Sequence, residues 1–261
     1  MNVAGVFKPH TMPRKALPVR CHILQDDKAK ILEDYMVEQL PDCYINSRQL
    51  KERKKKTGLS ASEILSNKLP DPGSVMSGDF GEMLTLFFLD SERTERTVPI
   101  RKLRYKQDRR KSAPHSDIII LHRQDPHGMF PDDFVICAEA KQKATNTEFN
   151  PIAEALKGFV KDRTGRLART LLWLREKAID VENKSMIDYI ERFTQAHSVS
   201  FKKDYKAVAV IDRALLDAEI TQTLKLPAQD ESFEIVVLGV NRLYKMYNDV
   251  YKRAINEVRN E

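Results

Sequence analysis

Asp117, Glu139 and Lys141 are the residues whose types and spacing could do chemistry. Asp117 opens the apolar run Ile118-Ile119-Ile120-Leu121-His122, and Glu139 and Lys141 close a second run that begins at Phe134. Both runs are short, rich in β-branched residues and bounded by polar stretches, which is the pattern of buried strands. Paired as a hairpin with His122 beside Phe134, antiparallel counting sets Asp117 opposite Glu139, at about 5 Å between Cβ atoms. Lys141 is two residues beyond Glu139 and projects from the same face. Two carboxylates and an ammonium then meet at one sheet edge. Such a group can hold a divalent cation and orient a water for phosphodiester hydrolysis. The plainer alternative is that these charges mark where two strands emerge into solvent.

The Glu-x-Lys triplet alone carries little information, because Asp26-Asp27-Lys28, Glu52-Arg53-Lys54, Glu182-Asn183-Lys184 and Asp204-Tyr205-Lys206 share its form. Only Glu139-Ala140-Lys141 ends an apolar strand whose antiparallel neighbour begins with a carboxylate. Glu82 adds support. It follows Gly78-Asp79-Phe80-Gly81 and precedes an almost wholly apolar helix, where an inward charge needs a partner or a metal. First-turn acids also complement a helix dipole, which gives Asp79 and Glu82 an ordinary explanation.

On this reading Mg²⁺, with Mn²⁺ a substitute, takes Asp117 and Glu139 as direct ligands and the Ala140 carbonyl as a third. Glu82 binds a second metal or fixes a metal-bound water. Lys141 orients or helps deprotonate the attacking water, or offsets the phosphorane's charge. Gln142 either supports the site or faces solvent. The segment from Arg101 to Lys111, which joins the helix of Glu82 to the strand of Asp117, carries Arg101, Lys102, Arg104, Lys106, Arg109, Arg110 and Lys111 against one acid, Asp108. Adjacency makes these seven candidates for phosphate contacts. A solvated charge run is the commoner fate, and the run around Lys51–Lys56 is read that way. His115 precedes Asp117 by two residues and is read as incidental, His122 and His127 sit at the hairpin's far end, and Trp173 is expected in the core.

These residues need a scaffold. The chain has 261 residues, enough for one sizeable domain with an appendage. Hydrophobic residues make up 41%, adequate for a core, and the net charge of +6 is compatible with nucleic acid without requiring it. The odd, scattered cysteines Cys21, Cys43 and Cys137 form no zinc motif and fit reduced thiols in a cytoplasmic setting. No apolar run approaches the length of a membrane span. Walker A, dinucleotide, Gly-x-Ser-x-Gly and HExxH motifs are absent.

Residues 1–18, with Pro9, Pro13 and Pro18, look irregular, like an arm. A short strand is expected at Cys21–Leu24 and a helix from Asp26 to Leu40, stopped by Pro41. Ser60-x-x-Glu63 predicts a capping box opening a short helix. A buried helix at Asp79–Leu89 and a strand at Thr97–Tyr105 precede the hairpin. Helices follow at 151–178 and 184–196, strands at Ala207–Ile211 and Ile235–Val240, and a last helix from about Arg242 to Val258. The fold class is α/β, a mixed central sheet flanked by helices. An N-terminal extension (1–70) available for partner contact is expected to precede the catalytic domain (71–261).

The ordered set Glu82, Asp117 and Glu139-x-Lys141, with helix–strand–strand–strand–helix around it, resembles the PD-(D/E)XK nuclease superfamily. Ser116 stands where the superfamily's name has proline. More closely, Gly78-Asp79-Phe80-Gly81-Glu82, Lys102-Leu103-Arg104-Tyr105-Lys106, Ser116-Asp117 and Ala138-Glu139-Ala140-Lys141 resemble the nuclease family of the Hachiman anti-phage defence system, HamA. By motif the match covers about residues 75–160. The resemblance implies a restriction-endonuclease-like core, a metal-dependent DNase and a partner, a superfamily-two helicase (HamB-like) that restrains the nuclease until it engages DNA. Alternatives on the same fold are a stand-alone restriction or repair endonuclease and a non-catalytic nucleic-acid-binding module.

Overall fold

The computed structural model describes residues 1–11, 19–125, 127–195, 199–222 and 233–259. Seven strands form one mixed sheet in the order β1-β2-β7-β6-β5-β4-β3. Its centre is parallel: β2 (Val19–Leu24), β7 (Phe233–Val240), β6 (Lys202–Asp212) and β5 (Phe134–Lys143). Buried on both faces, β7 and the core of β6 are continuous apolar runs. Antiparallel strands finish both edges: β1 (Phe7–Pro9) beside β2, and β4 (Ile118–His122) then β3 (Val98–Pro99) beyond β5.

Helices cover the two faces. One face carries α1 (Ala29–Tyr44), α3 (Ala61–Lys68), α4 (Ser74–Ser91) and α9 (Leu243–Arg259), with a core that includes Met36, Phe80, Leu84, Ile120, Val236 and Val250. The other carries α5 (Pro151–Lys161), α6 (Leu167–Asp180), α7 (Lys184–Thr194) and α8 (Leu216–Gln222), around Ile119, Cys137, Phe159, Leu171 and Val237. The basic α2 (Ser47–Thr57) buries no residue.

The α/β layering is the one expected. The details differ in four places. Residues 1–70 are no appendage: β1 and β2 extend the common sheet, and Leu32, Met36 and Leu40 of α1 join the main core. The expected arm therefore begins as an edge strand; residues 12–18 lie outside the described residues. Helix α1 runs through Pro41 to Tyr44. The missing N–H falls in the last turn, where it forfeits one bond while buried Cys43 and Tyr44 hold the turn in place.

Helix α4 starts at Ser74, so Glu82 lies about two turns inside rather than in the first turn, and the dipole explanation of Asp79 and Glu82 lapses. The strand expected over Thr97–Tyr105 is only Val98–Pro99, followed by a 3₁₀ turn at Lys102–Tyr105. Proline lacks the N–H needed to continue a ladder. Elsewhere the capping box at Ser60/Glu63 forms with both reciprocal bonds. The expected helix over 151–178 breaks into α5 and α6 at a kink where Gly165 takes φ 120°, a backbone state open to glycine.

Candidate active site

Strands β4 and β5 pair from His122↔Phe134 to Ile118↔Ala138. One further step in that register sets Asp117 opposite Glu139, as the sequence predicts. The ladder ends there because the Asp117 carboxylate itself accepts the Ala140 N–H at 3.1 Å. The Lys141 ammonium then bonds Glu139 Oε1 at 2.5 Å, the Ala140 carbonyl at 3.2 Å and Asp117 Oδ2 at 3.5 Å. Oxygens of Asp117, Glu139 and Ala140 thus converge on one cationic point.

Glu82 approaches from α4, on the other face of the sheet. Between it and Asp117 stands Lys102, which is buried. Its Nζ donates to the Ser116 carbonyl at 2.7 Å and lies 3.7 Å from Glu82 and 3.8 Å from Asp117. Arg166, from the kink between α5 and α6, grips Glu139 Oε2 and also bonds the Gly158 carbonyl and both oxygens of Asp162. Asp162 in turn accepts the Ser116 hydroxyl at 2.5 Å, and Ser116 also meets Thr170 at 2.8 Å. Ser116 is therefore a buried tie that fixes the backbone just before Asp117.

Two glycines let the helices close on this strand end. A Cβ on Gly158 of α5 would overlap the Glu139 carboxyl group. A Cβ on Gly81 of α4 would lie 2.9 Å from Cβ of Gln142, closer than packed carbons approach. Gln142 donates to Ser77 Oγ at 2.9 Å, so it braces α4 against β5. The site opens into a cavity of about 520 Å³ lined by Glu82, Asp117, Ala140, Lys141, Gln142 and Tyr247 among others.

Four carboxylates (Glu82, Asp117, Glu139, Asp162) share this corner with three cations (Lys102, Lys141, Arg166). The excess negative charge shows in the acidities. Burial, joined by Asp117 and Asp79, pushes the Glu82 carboxyl up to about 8 against the pull of Lys102. Burial and Asp117 raise Glu139, although Lys141 and Arg166 oppose them. Burial alone would lower the Lys141 ammonium, but Asp117 and Glu139 outweigh it and hold it above the usual lysine range. Among the described residues no three His, Cys, Asp or Glu side chains gather as a metal cluster. The donor set here is different: two carboxylates and a backbone carbonyl already placed around a positive charge. That suits a hard divalent cation, which takes oxygen ligands and completes its shell with water.

The structure redistributes the basic segment. Lys102 belongs to the site. Lys106 is buried and bonds Asp79 at 2.7 Å, an acid that also accepts the Tyr44 hydroxyl. Neither is available to a surface phosphate, which corrects that assignment. Arg101 and Arg104 tie the 3₁₀ turn to Asp42 of α1, and Arg109 reaches Asp71. Arg110 and Lys111 are exposed, and among the described residues their ion partner is Asp108. Arg166 was missed. Its spacing from Asp162 is an i, i+4 pair, but three arginines at 163, 166 and 169 look alike in sequence, and only the Gly165 kink selects one. Trp173 is half-buried rather than core, edge-on to Tyr105.

The HamA family model matches residues 8–254. The chain belongs to the HamA family. Membership bears out the closer of the two resemblances, that to HamA, points to a Hachiman defence-related protein, and extends the likeness across nearly the whole chain. No curated protein matches it. In this HamA-family chain the matched span takes in β2 and α1 as well as the carboxylate corner, in keeping with one continuous core. Among the described residues no helix is long and apolar enough to cross a membrane.

Proposed function

We propose that the chain is a metal-dependent deoxyribonuclease of the PD-(D/E)XK type, the effector subunit of a Hachiman complex restrained by a superfamily-two helicase. The observation that carries the reading is the convergence of Asp117, Glu139 and the Ala140 carbonyl on the Lys141 ammonium, at the mouth of a cavity. Asp117 and Glu139, with the carbonyl, would hold Mg²⁺ or Mn²⁺. Bound there, the cation would supply the charge that polarises a scissile phosphate and acidifies water.

The protein's own groups do the rest. Arg166 and Gly158 fix the Glu139 carboxylate in place, and the Ala140 N–H fixes Asp117. Lys141 lies between them, where it would orient the attacking water or help deprotonate it, and would offset charge developing on the phosphate. Lys102 holds Glu82 and Asp117 together across the sheet edge. Glu82 faces the cavity, ready to position water or a second cation. Arg110 and Lys111 are the members of the basic segment left to meet a DNA backbone.

The test is cleavage of plasmid DNA with Mg²⁺, with and without a superfamily-two helicase of a Hachiman system, by the parent chain and by Glu139→Ala and Lys141→Ala variants. Cleavage by the parent, abolished in variants that keep their thermal stability, is the expected result. Equal cleavage by parent and variants would reject these residues.

A further inference from the structure

A second cavity, of about 260 Å³, adjoins the catalytic one. It is lined by Tyr105, Lys106, Lys111, Ser112, Trp173 and Lys177 among others. Ser112 is on the wall of both cavities. It precedes Asp117 by five residues, a span of at most about 18 Å even for fully extended chain. Whatever occupies the second cavity therefore sits within a few nucleotide lengths of the carboxylates.

Its walls combine the rings of Tyr105 and Trp173 with three lysines and one acid, Asp108, which lies 3.9 Å from the Lys111 ammonium. Trp173 is edge-on to Tyr105 at 5.8 Å, and the His115 ring lies 5.3 Å from the indole. His115 takes φ 70°, a left-handed backbone state uncommon for a side-chain-bearing residue. That turn carries the chain from the aromatic group to Ser116 and Asp117. Lys111 is exposed at the rim, and the Lys177 ammonium bonds Asp180 at 2.5 Å. Half-buried aromatic rings flanked by lysines make a stacking platform for bases, with charge for the backbone that carries them.

We infer that this cavity takes an unpaired nucleobase of single-stranded DNA next to the scissile phosphate, with Trp173 as the stacking surface and Lys111 meeting the backbone. A base inside a duplex is stacked and paired and is not free to enter, so the cavity favours frayed, gapped or unwound DNA. The inference rests on the nuclease reading and names its substrate class.

Trp173 is the only tryptophan in the chain, so its emission reports the site directly. The full chain, in EDTA to prevent cleavage, is titrated with a short single-stranded oligodeoxynucleotide, its duplex and an abasic strand of equal length. Affinity is read in parallel from the anisotropy of labelled strands. The single strand should change Trp173 emission, while the duplex and the abasic strand should leave it nearly unchanged. Trp173→Ala should weaken single-strand binding about ten-fold, and Trp173→Phe should retain most of the affinity. Lys111→Ala should lower the salt slope by about 0.7. An emission change of equal size with all three ligands overturns the inference, as does unaltered affinity in a folded Trp173→Ala chain. The parent's own comparison of base-bearing and abasic strands decides the matter if that variant does not fold. Base-dependent emission without plasmid cleavage under any condition would leave the cavity standing and remove the nuclease. Cleavage with base-independent emission would do the reverse.

Discussion

The two ends of the β4–β5 hairpin each bury charge, and they bury it in opposite ways. At the far end Asp133 and Arg192 are both essentially inaccessible. Asp133 accepts Arg192 Nε at 2.6 Å and the N–H groups of Gln124 at 2.8 Å and Phe130 at 3.0 Å. Arg192 spends its other donors on the carbonyls of Phe130, Val199 and Ser200. One anion meets one cation, and their hydrogen bonds are made. At the near end acids outnumber bases, Gln142 Oε1 has no hydrogen-bond partner among the described residues, and a cavity opens beside the groups. A buried pair that is fully satisfied ties the hairpin to α7. A buried group that is unbalanced and open to a cavity is arranged to receive something. Burial of charge alone does not tell the two apart; stoichiometry and access do.

Substitutions should separate the two ends. The largest effect on stability is expected from Arg192→Met. It leaves the Asp133 carboxylate buried beside N–H donors but without its cation, at a cost of about 3–5 kcal/mol. Urea denaturation measures it, and a loss below about 1 kcal/mol would mean that this end is no tie. Any cleavage activity per folded molecule should persist.

Asp117→Asn should do the converse. It keeps shape and removes one negative charge from a crowded corner. DNA cleavage should fall at least about 100-fold, while the melting temperature holds or rises because Glu82 and Glu139 lose a repelling neighbour. A variant that loses stability as Arg192→Met does would erase the distinction between the ends.

Gly158→Ala probes the near end more gently. Its methyl group overlaps the Glu139 carboxyl, so Glu139 or α5 must shift, at about 1–3 kcal/mol. Cleavage should fall with it, since the displaced carboxylate is a proposed metal ligand. Melting and plasmid assays on one preparation check both. The same change at Gly78, where an added Cβ meets nothing within 4 Å, should not lower the melting temperature.

The comparison also shows what was legible in the chain. The hairpin register followed from two apolar runs and a count: setting His122 beside Phe134 aligns the two runs along their length. Asp117, Glu139 and Lys141 came with it. Lys102 was read as a surface cation since its partners, Glu82 and Ser116, are 20 and 14 residues away and only the 3₁₀ turn aims it inward. Glu82's place depended on where α4 begins, and the interior Gly78 and Gly81 disguised that start by lowering helix propensity. The role of Gly81 is instead close approach to Gln142. Arg192 and Asp133 gave no sign at all. They are 59 residues apart, and each stands among other charges that are solvated.

Protons should divide the ends by sign. Asp133 is pushed up by burial, but its two N–H donors and Arg192 prevail and hold it below the usual carboxylate value. Its contribution is present above the unfolded value, near 4, and is lost as pH falls through the lower folded one. Glu82, raised to about 8, behaves oppositely. The folded chain holds a proton that the unfolded chain releases, so its contribution is full below about 4.5 and is lost as pH rises through 8. In EDTA, melting temperature should therefore climb on acidification from pH 9 towards about 5 and fall again below about 4. Excess Mg²⁺ should flatten the alkaline limb by supplying the charge the proton supplied, and leave the acid limb untouched. A magnesium effect on the acid limb instead would put the cation at the wrong end of the hairpin.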